Sequence, residues 1–335
     1  MNIKEITKTL EKEPAFRLKQ IKKAVFNDLV ESWDKVTTLP LTLRQRLQDC
    51  CPIQELVAEK TLTSEDKQTI KILFSAKDGS KIESVLMKHG STSSPQVARN
   101  TVCVSSHVGC AIGCDFCATG ELGFKRNLSD WEIVEQVLYF ARKDRITNVV
   151  FMGMGEPFLN YENVLNAIKT LNDKDGFNLG ARHISVSTIG IVEGIKKFTA
   201  EDLQVNLAIS LHAPNNELRL KLVPLNKTYP IEKVLAAVDD YIKKTKRRVM
   251  FEYLMIDGVN DDEKQAKDLA KLLKRPLCFV NLISYNPIGH SRFKPSPGWK
   301  IKKFKEILEG VGITVTQRHR FGKEIKGACG QLAGK

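Results

Sequence analysis

The sequence predicts an α/β protein built on a partial (β/α)6 barrel, and three observations carry that prediction. From Asn100 onward, short β-rich runs alternate with amphipathic helical stretches. Six such runs occur, fewer than the eight that close a complete barrel. They are TVCVSS (101–106), NVVFMG (148–153), HISVST (183–188), QVNLAISLH (204–212), RVMFEYLMI (248–256) and CFVNLISY (278–285). The 335-residue chain is 42% hydrophobic and 27% charged, an ordinary globular composition with room for one large domain and a smaller one. An open doubly wound sheet is the alternative architecture.

Residues 1–60 read as a helical unit ahead of the barrel. Glu13-Pro14 opens a helix with proline in its first turn. Phe16, Ile21, Val25 and Leu29 follow at roughly helical spacing. A second helix is predicted over Thr42–Asp49, before Cys50-Cys51-Pro52. Residues 61–95 read as a β-hairpin and linker: Asp78-Gly79 is a favoured two-residue turn, and Ile70, Ile72 and Phe74 alternate before it. His89–Asn100 is a polar connection. The α/β core spans 96–322, with helices such as Asp130–Lys143 and Asp261–Lys274 between its strands, and 323–335 form a C-terminal segment.

Lys and Arg number 52 against 39 Asp and Glu, a net charge of +13. Residues 290–335 hold eleven of the basic residues and only three acidic ones. A block of like charge points to a polyanion, with nucleic acid ahead of an anionic membrane surface; a plain solvated face is the bland alternative. No run of about 18 apolar residues offers a membrane span. The opening MNIKEITKTLEKEPAFRLK mixes acids with bases and lacks an apolar stretch, so it does not read as a signal peptide. The expectation is a cytoplasmic protein with mostly reduced cysteines.

Cys110, Cys114 and Cys117 form a C-x3-C-x2-C triplet in GCAIGCDFCATG, in a loop just after the first barrel strand. Three thiolates this close can reach three irons of one [4Fe–4S] cube, and with no fourth cysteine nearby one iron keeps an open position. Structural zinc is the alternative, with His107 as a fourth ligand, although closed zinc sites more often use two separated C-x2-C pairs. At the end of the next strand, in FMGMGEP, Gly153 and Gly155 allow close backbone approach and Glu156 offers a carboxylate. Ser187, Ser210-Leu211-His212 and Asn286 stand at further strand ends, where ligands of α/β folds gather. Taken singly, each reads as a satisfied strand-end group. Cys50, Cys51 and Cys278 read as buried small hydrophobes.

The triplet after the first strand of a partial α/β barrel resembles the radical S-adenosylmethionine (SAM) superfamily. VCVSSHVGCAIGCDFCATGELGFKRNLS, FMGMGEP, ISVSTIGI, NLAISLHAPN, SYNPIG and GACGQL narrow the resemblance to the RNA adenine-C2 methyltransferases, over nearly the whole chain. Adenine-C8 relatives of that family confer ribosomal antibiotic resistance. The resemblance implies a barrel of the radical SAM type behind an N-terminal helical RNA-binding domain. It implies a cluster on Cys110, Cys114 and Cys117 whose open iron binds SAM, which on reduction yields a 5′-deoxyadenosyl radical. Gly155, Glu156, Ser187, Ser210, Leu211, His212 and Asn286 match the family's SAM contacts.

The resemblance also assigns roles to two further cysteines, with two SAM molecules used per turnover. Cys329 takes a methyl group from one SAM. The radical from the second abstracts hydrogen from that methyl group, and the resulting carbon radical adds to adenine, joining RNA to protein. Cys103 helps remove the ring proton and attacks the Cys329 sulfur, leaving a transient disulfide. Glu83, in KIESVLM, matches a glutamate to which proton acceptance is assigned; its plain reading is a solvated strand carboxylate. The implied substrates are an adenosine in the peptidyl-transferase loop of 23S rRNA and the adenosine 3′ of the anticodon in tRNA, each taken unpaired or flipped. An electron donor such as flavodoxin or ferredoxin and a monomeric state are implied as well. Pro157 resembles the C2 branch, the C8 enzymes carrying alanine there. Arg318, Arg320, Lys323 and Lys326 flank the Cys329 segment and would draw phosphates towards it. A non-catalytic iron–sulfur or zinc RNA-binding module explains the charge and the triplet, but not FMGMGEP or Cys329. A radical SAM enzyme acting on a small molecule or peptide leaves the basic tail unexplained.

Overall fold

In the computed structural model, which describes residues 3–90, 99–289, 292–318 and 322–335, the N-terminal segment folds as short helices. α1 (Ile3–Thr9), α2 (Phe16–Lys22) and α3 (Leu41–Cys50) surround buried Ile21, Val25, Trp33, Leu43 and Leu47. The Trp33 indole N–H donates to the Cys51 carbonyl at 2.8 Å and ties the segment shut. Ile21 and Val25 face the core as predicted, whereas Phe16 is 52% exposed. Five residues at about 100° each carry Phe16 roughly 140° around the helix from Ile21, so it cannot share that face. The Arg17 guanidinium covers its ring instead, 4.9 Å from the centroid. Cys51 is buried as expected, but Cys50 is exposed, its Sγ 3.1 Å from that of Cys51, and Cys278 is half-buried.

β1 (Leu56–Thr63) begins inside the stretch 1–60 expected to be helical and runs past its end. It is an edge strand whose residues mostly face solvent, so its sequence lacks a strong apolar alternation. The predicted hairpin follows as β2 (Thr69–Ala76) and β3 (Lys81–His89), with Gly79 of the turn at φ +77°. It is not a free-standing linker. β3 pairs antiparallel with β4 (Arg99–Val104), so the three-stranded meander extends the barrel sheet to ten strands among the described residues. Residues 91–98 of the polar connection lie outside the described residues.

Beyond β4, the small antiparallel pair β5 (His107–Gly109) and β6 (Phe124–Asn127) brackets the cysteine loop and the short α4 (Ala118–Glu121). Then come α5 (Asp130–Ala141), β7 (Asn148–Phe151), α6 (Tyr161–Asn172), β8 (Ile184–Thr188), α7 (Val192–Ala200) and β9 (Asn206–Ser210). The chain continues through α8 (Asn216–Leu222), α9 (Ile231–Thr245), β10 (Val249–Met255), α10 (Glu263–Leu273), β11 (Cys278–Ser284), α11 (Gly298–Gly310) and β12 (Thr314–Gln317).

β4, β7, β8, β9, β10, β11 and β12 neighbour one another in that order, all parallel. All six predicted strands are present. β12 adds a seventh, missed because TVTQ is short, polar and at the edge. Helical crossovers cover the outer face, so Val149, Val186, Leu207, Phe251 and Val280 are sealed from water. Capping boxes set two helix starts, Ser129 with Glu132 at α5 and Asp262 with Gln265 at α10. Among the described residues, no helix is long and apolar enough to cross a membrane.

Candidate active site

The cysteine loop lies at the carboxyl ends of the parallel strands, and backbone bonds brace it. Cys110 N–H donates to Gly123 at 3.1 Å, Cys117 N–H to Cys114 at 3.1 Å, and Asp115 N–H to Leu222 at 3.2 Å. Cys110, Cys114 and Cys117 are half-buried and line one cavity. Burial pushes the Cys110 thiol up to about 11 and raises Cys114 and Cys117 too, with the charge of neighbouring thiols adding to each. Thiols crowded in this way ionise most readily against a bound cationic group. Among the described residues, no three His, Cys, Asp or Glu side chains converge on a single-ion position. An iron–sulfur cube is larger than an ion and holds its thiolates apart, so the donor set fits a cluster. His107, the alternative zinc ligand, does not line this cavity. It packs behind Gly155, where a Cβ would stand 2.2 Å from its Nδ1, and Gly155 itself has φ +97°.

Gly155, Glu156, Ser187, Ser210 and His212 line the same cavity as the three cysteines. Glu156 is buried, and its two oxygens accept from Ile189 N–H at 2.8 Å and Phe158 N–H at 3.1 Å. Burial raises its carboxyl to about 7 against those two bonds. The Ser187 and Ser210 hydroxyls meet at 3.1 Å. Leu254 N–H donates to His212 Nδ1 at 3.1 Å, which puts the ring proton on Nε2. Burial drops His212 to about 3, so the imidazole is neutral. Leu211 does not line the cavity: its side chain is in the core, and its carbonyl accepts from Arg219 Nε at 3.1 Å. Asn286 belongs to the adjoining cavity, where its Nδ2 donates to the Cys329 carbonyl at 3.2 Å.

That adjoining cavity brings Cys103 and Cys329 together, beside Cys117, and shares Met152, Gly153, Arg318 and Gly330 with the first. Cys103 lies on β4, buried. Burial and the nearby Cys329 push its thiol up to about 12, against the pull of Arg318. Cys329 is a half-buried free thiol. Glu83 lines neither cavity, and it is buried rather than solvated, contrary to its plain reading.

Arg318, expected only as a basic group flanking the Cys329 segment, shapes the site itself, as do Glu252 and Arg219, which the sequence did not single out. Arg318 lies half-buried at the seam of the two cavities, and Cys329, Glu252 and Cys103 stabilise its charge. Glu252 lines the first cavity with Oε2 bonded to Asn281 Nδ2 at 2.7 Å, while Oε1 is buried without a partner. An orphaned carboxylate oxygen there fits a polar, cationic ligand such as SAM. A lone carboxylate amid VMFEYLM was the available signal. Arg219 is buried and holds strand-end backbone at Leu211; nothing in ELRLKL announced it. Arg320 lies outside the described residues.

A model of the Radical SAM superfamily matches residues 104–270. The chain superposes on the crystal structure of a radical SAM methyltransferase from Sphaerobacter thermophilus with a TM-score of 0.94 and 44% identity, covering 100% of this chain and 98% of that one. Fold and site define a radical SAM enzyme. The chain is 44% identical to the probable dual-specificity RNA methyltransferase RlmN of Chloroflexus aurantiacus, over 100% of this chain and 92% of the relative. It is 47% identical to the protein of the same name from Dictyoglomus thermophilum, over 96% and 91%. It belongs to the RlmN family of dual-specificity RNA methyltransferases. Membership implies a [4Fe–4S] cluster and SAM as cofactors.

Proposed function

We propose that this enzyme methylates C2 of an adenosine in the peptidyl-transferase loop of 23S rRNA and C2 of the adenosine 3′ of the anticodon in tRNA, through S-methyl-Cys329 and a covalent protein–RNA adduct. One observation carries the reading: Cys103 and Cys329, free thiols far apart in the chain, line one cavity that adjoins the cysteine triplet. Adenine C2 is an electron-poor aromatic carbon, so it cannot displace a methyl group from SAM directly. When bound, the cluster and its SAM supply hydrogen-atom abstraction, and two SAM molecules are used per turnover. Cys110, Cys114 and Cys117 hold the cluster. Gly155, Glu156, Ser187, Ser210 and His212 surround SAM, with Leu211 and Asn286 shaping its surroundings through backbone contacts.

Cys329 carries the methyl group to the adenine ring, standing where the two cavities meet. Once the ring proton and the unpaired electron have left the adduct, the Cys103 thiolate attacks the Cys329 sulfur. The S–CH2 bond breaks with its electron pair on the ring-bound carbon, which takes a proton to become the methyl group. The Cys103–Cys329 disulfide left behind is reduced by two electrons from the external donor before the next turnover. Arg318 favours the Cys103 thiolate that this attack requires. The relatives' shared name supports RNA as the substrate class. The RNA grip is assigned to the helical segment 1–60 and to the exposed Lys302, Lys303, Lys323 and Lys326, with catalysis in 96–322 and the methyl carrier in 323–335. Pro157, which opens the turn Pro157–Asn160 beside Glu156, favours C2 over C8. Flavodoxin or ferredoxin supplies electrons to a cytoplasmic monomer.

The test is to incubate anaerobically reconstituted protein with SAM and total RNA and analyse the nucleosides by mass spectrometry. 2-Methyladenosine in both rRNA and tRNA is the expected result. 8-Methyladenosine would move the chemistry to C8, and no methylated adenosine would leave a binding module.

A further inference from the structure

The C-terminal segment that carries Cys329 is held at both ends. On the core side, Ala118 N–H donates to the Gly330 carbonyl at 2.8 Å and the Thr119 hydroxyl to the Leu332 carbonyl at 2.7 Å. Gln331 Nε2 donates to the Pro287 carbonyl at 3.1 Å. At the far end, Ala333 N–H and Gly334 N–H both donate to Glu83 Oε2, at 2.7 and 3.1 Å. The other oxygen of Glu83 accepts from Lys71 Nζ at 2.7 Å. Glu83 is 1% exposed and Lys71 6%.

A buried ion pair recovers its desolvation cost only when its remaining lone pairs are bonded. Here the missing donors come from the tail: without Ala333 and Gly334, Oε2 would be a buried anionic oxygen with no other hydrogen-bond donor among the described residues. Three donors occupy the carboxylate, and charge-assisted bonds of this kind are the strong ones. Sheet register extends the effect. Glu83 lies on β3 two residues from Val85, and Val85 pairs with Cys103 on β4. The strand that presents Cys103 to the cavity is thus braced by the strand that anchors the Cys329 tail.

We propose that Lys71 and Glu83 form a buried latch that docks the C-terminal end of the chain and thereby sets Cys329 in the cavity, making Glu83 a positioning residue rather than a proton acceptor. The catalytic meaning rests on Cys329 as methyl carrier; the latch itself does not.

The experiment compares five proteins, all anaerobically reconstituted (wild type, a double substitution, a truncation, the two combined, and Glu83→Gln), by the rate at which iodoacetamide alkylates Cys329, read by peptide mass spectrometry with exposed Cys50 as the internal reference. Lys71→Met with Glu83→Leu replaces the pair by apolar groups, which keeps a lone buried charge from unfolding the protein. Deleting residues 333–335 removes the tail's donors and leaves the pair in place. Each change should speed Cys329 alkylation several-fold relative to Cys50. Combining them should add nothing further, because both cut one contact. Glu83→Gln separates the roles: a proton acceptor would lose turnover while Cys329 alkylated at the wild-type rate, and that result overturns the latch. So would a wild-type rate in the truncated chain, whether or not the Glu83 variants fold. Failure of the methyl-carrier assignment would show differently, as wild-type protein without S-methyl-Cys329.

Discussion

Cys103 and Cys329 share a cavity but not an environment. Cys103 is locked in a strand and pressed towards its protonated form by burial, with Arg318 pulling the other way. Cys329 rides on a turn that Gly330 permits at φ +83°, where a Cβ would sit 3.1 Å from the Phe116 carbonyl. The two should therefore fail at different stages. With Cys329 as the proposed methyl carrier, Cys329→Ala should form neither methylated protein nor adduct. With Cys103 as the proposed resolving thiolate, Cys103→Ala should leave the first transfer and the addition intact and fail to resolve the adduct. It should accumulate a protein–RNA species, retarded on a denaturing gel and trimmed by RNase to a nucleotide mass on the Cys329 peptide. Turnover without trapping by the Cys103 variant would reverse the assignment. Both cysteines were legible because they stand in short, recognisable stretches of sequence. Arg318 was legible only as charge, since its place at the seam depends on where β12 ends. Asn286 was legible as a strand-end residue, but its bond to the Cys329 carbonyl is a product of tertiary folding.

Elements were read most securely where a long amphipathic stretch lay between strands, as at α5 and α10, and least where polar edge strands such as β1 and β12 carried no apolar pattern. α5 also does something its sequence does not announce. Glu135 projects from it to accept from Glu55 N–H at 2.9 Å and Leu56 N–H at 3.1 Å, tying the helix to the start of β1. Burial raises this carboxyl from 4.5 to about 7 against those bonds. A raised folded-state value means the contribution is fully present below the unfolded value and is lost as pH rises through the folded one. Glu135→Gln removes that titration, so its melting temperature relative to wild type should climb between about pH 5 and pH 8. A pH-independent difference would show that Glu135 does not titrate in that window. α11 offers a second element-scale prediction. Lys302 and Lys303 are exposed, while half-buried Lys305 lies 3.6 Å from Glu309. Reversing all three to Glu should weaken RNA binding and flatten its salt dependence, each lost phosphate contact reducing the log–log slope by about 0.7 to 0.9. An unchanged slope in filter binding across salt concentrations would mark the helix as a plain solvated face.

Across the whole molecule, one sheet joins the meander to the barrel, and the cysteine loop and the tail close over its carboxyl edge. The barrel was legible because six buried strands each carry an apolar run. The meander's continuity was not, because β3–β4 pairing spans the polar connection, where no local pattern fixes partners. This arrangement makes the cluster a structural centre as well as a chemical one. Cys117 precedes Ala118 and Thr119, the residues that bond the tail at Gly330 and Leu332, so a cluster that orders the loop also orders the seat of Cys329. Anaerobic reconstitution should give one [4Fe–4S] cluster per chain, read as iron and acid-labile sulfide, and Cys114→Ala should lose it. Because metal bound only by the folded state stabilises that state, the reconstituted protein should melt above its iron-free form, and Cys114→Ala should erase the difference. The tail should respond with it: limited proteolysis near the C-terminus should be faster in the iron-free protein than in the reconstituted one. Stoichiometric zinc in place of iron would sink the cluster assignment. A full cluster with no change in tail cleavage would leave the chemistry standing and break only the link between loop and tail.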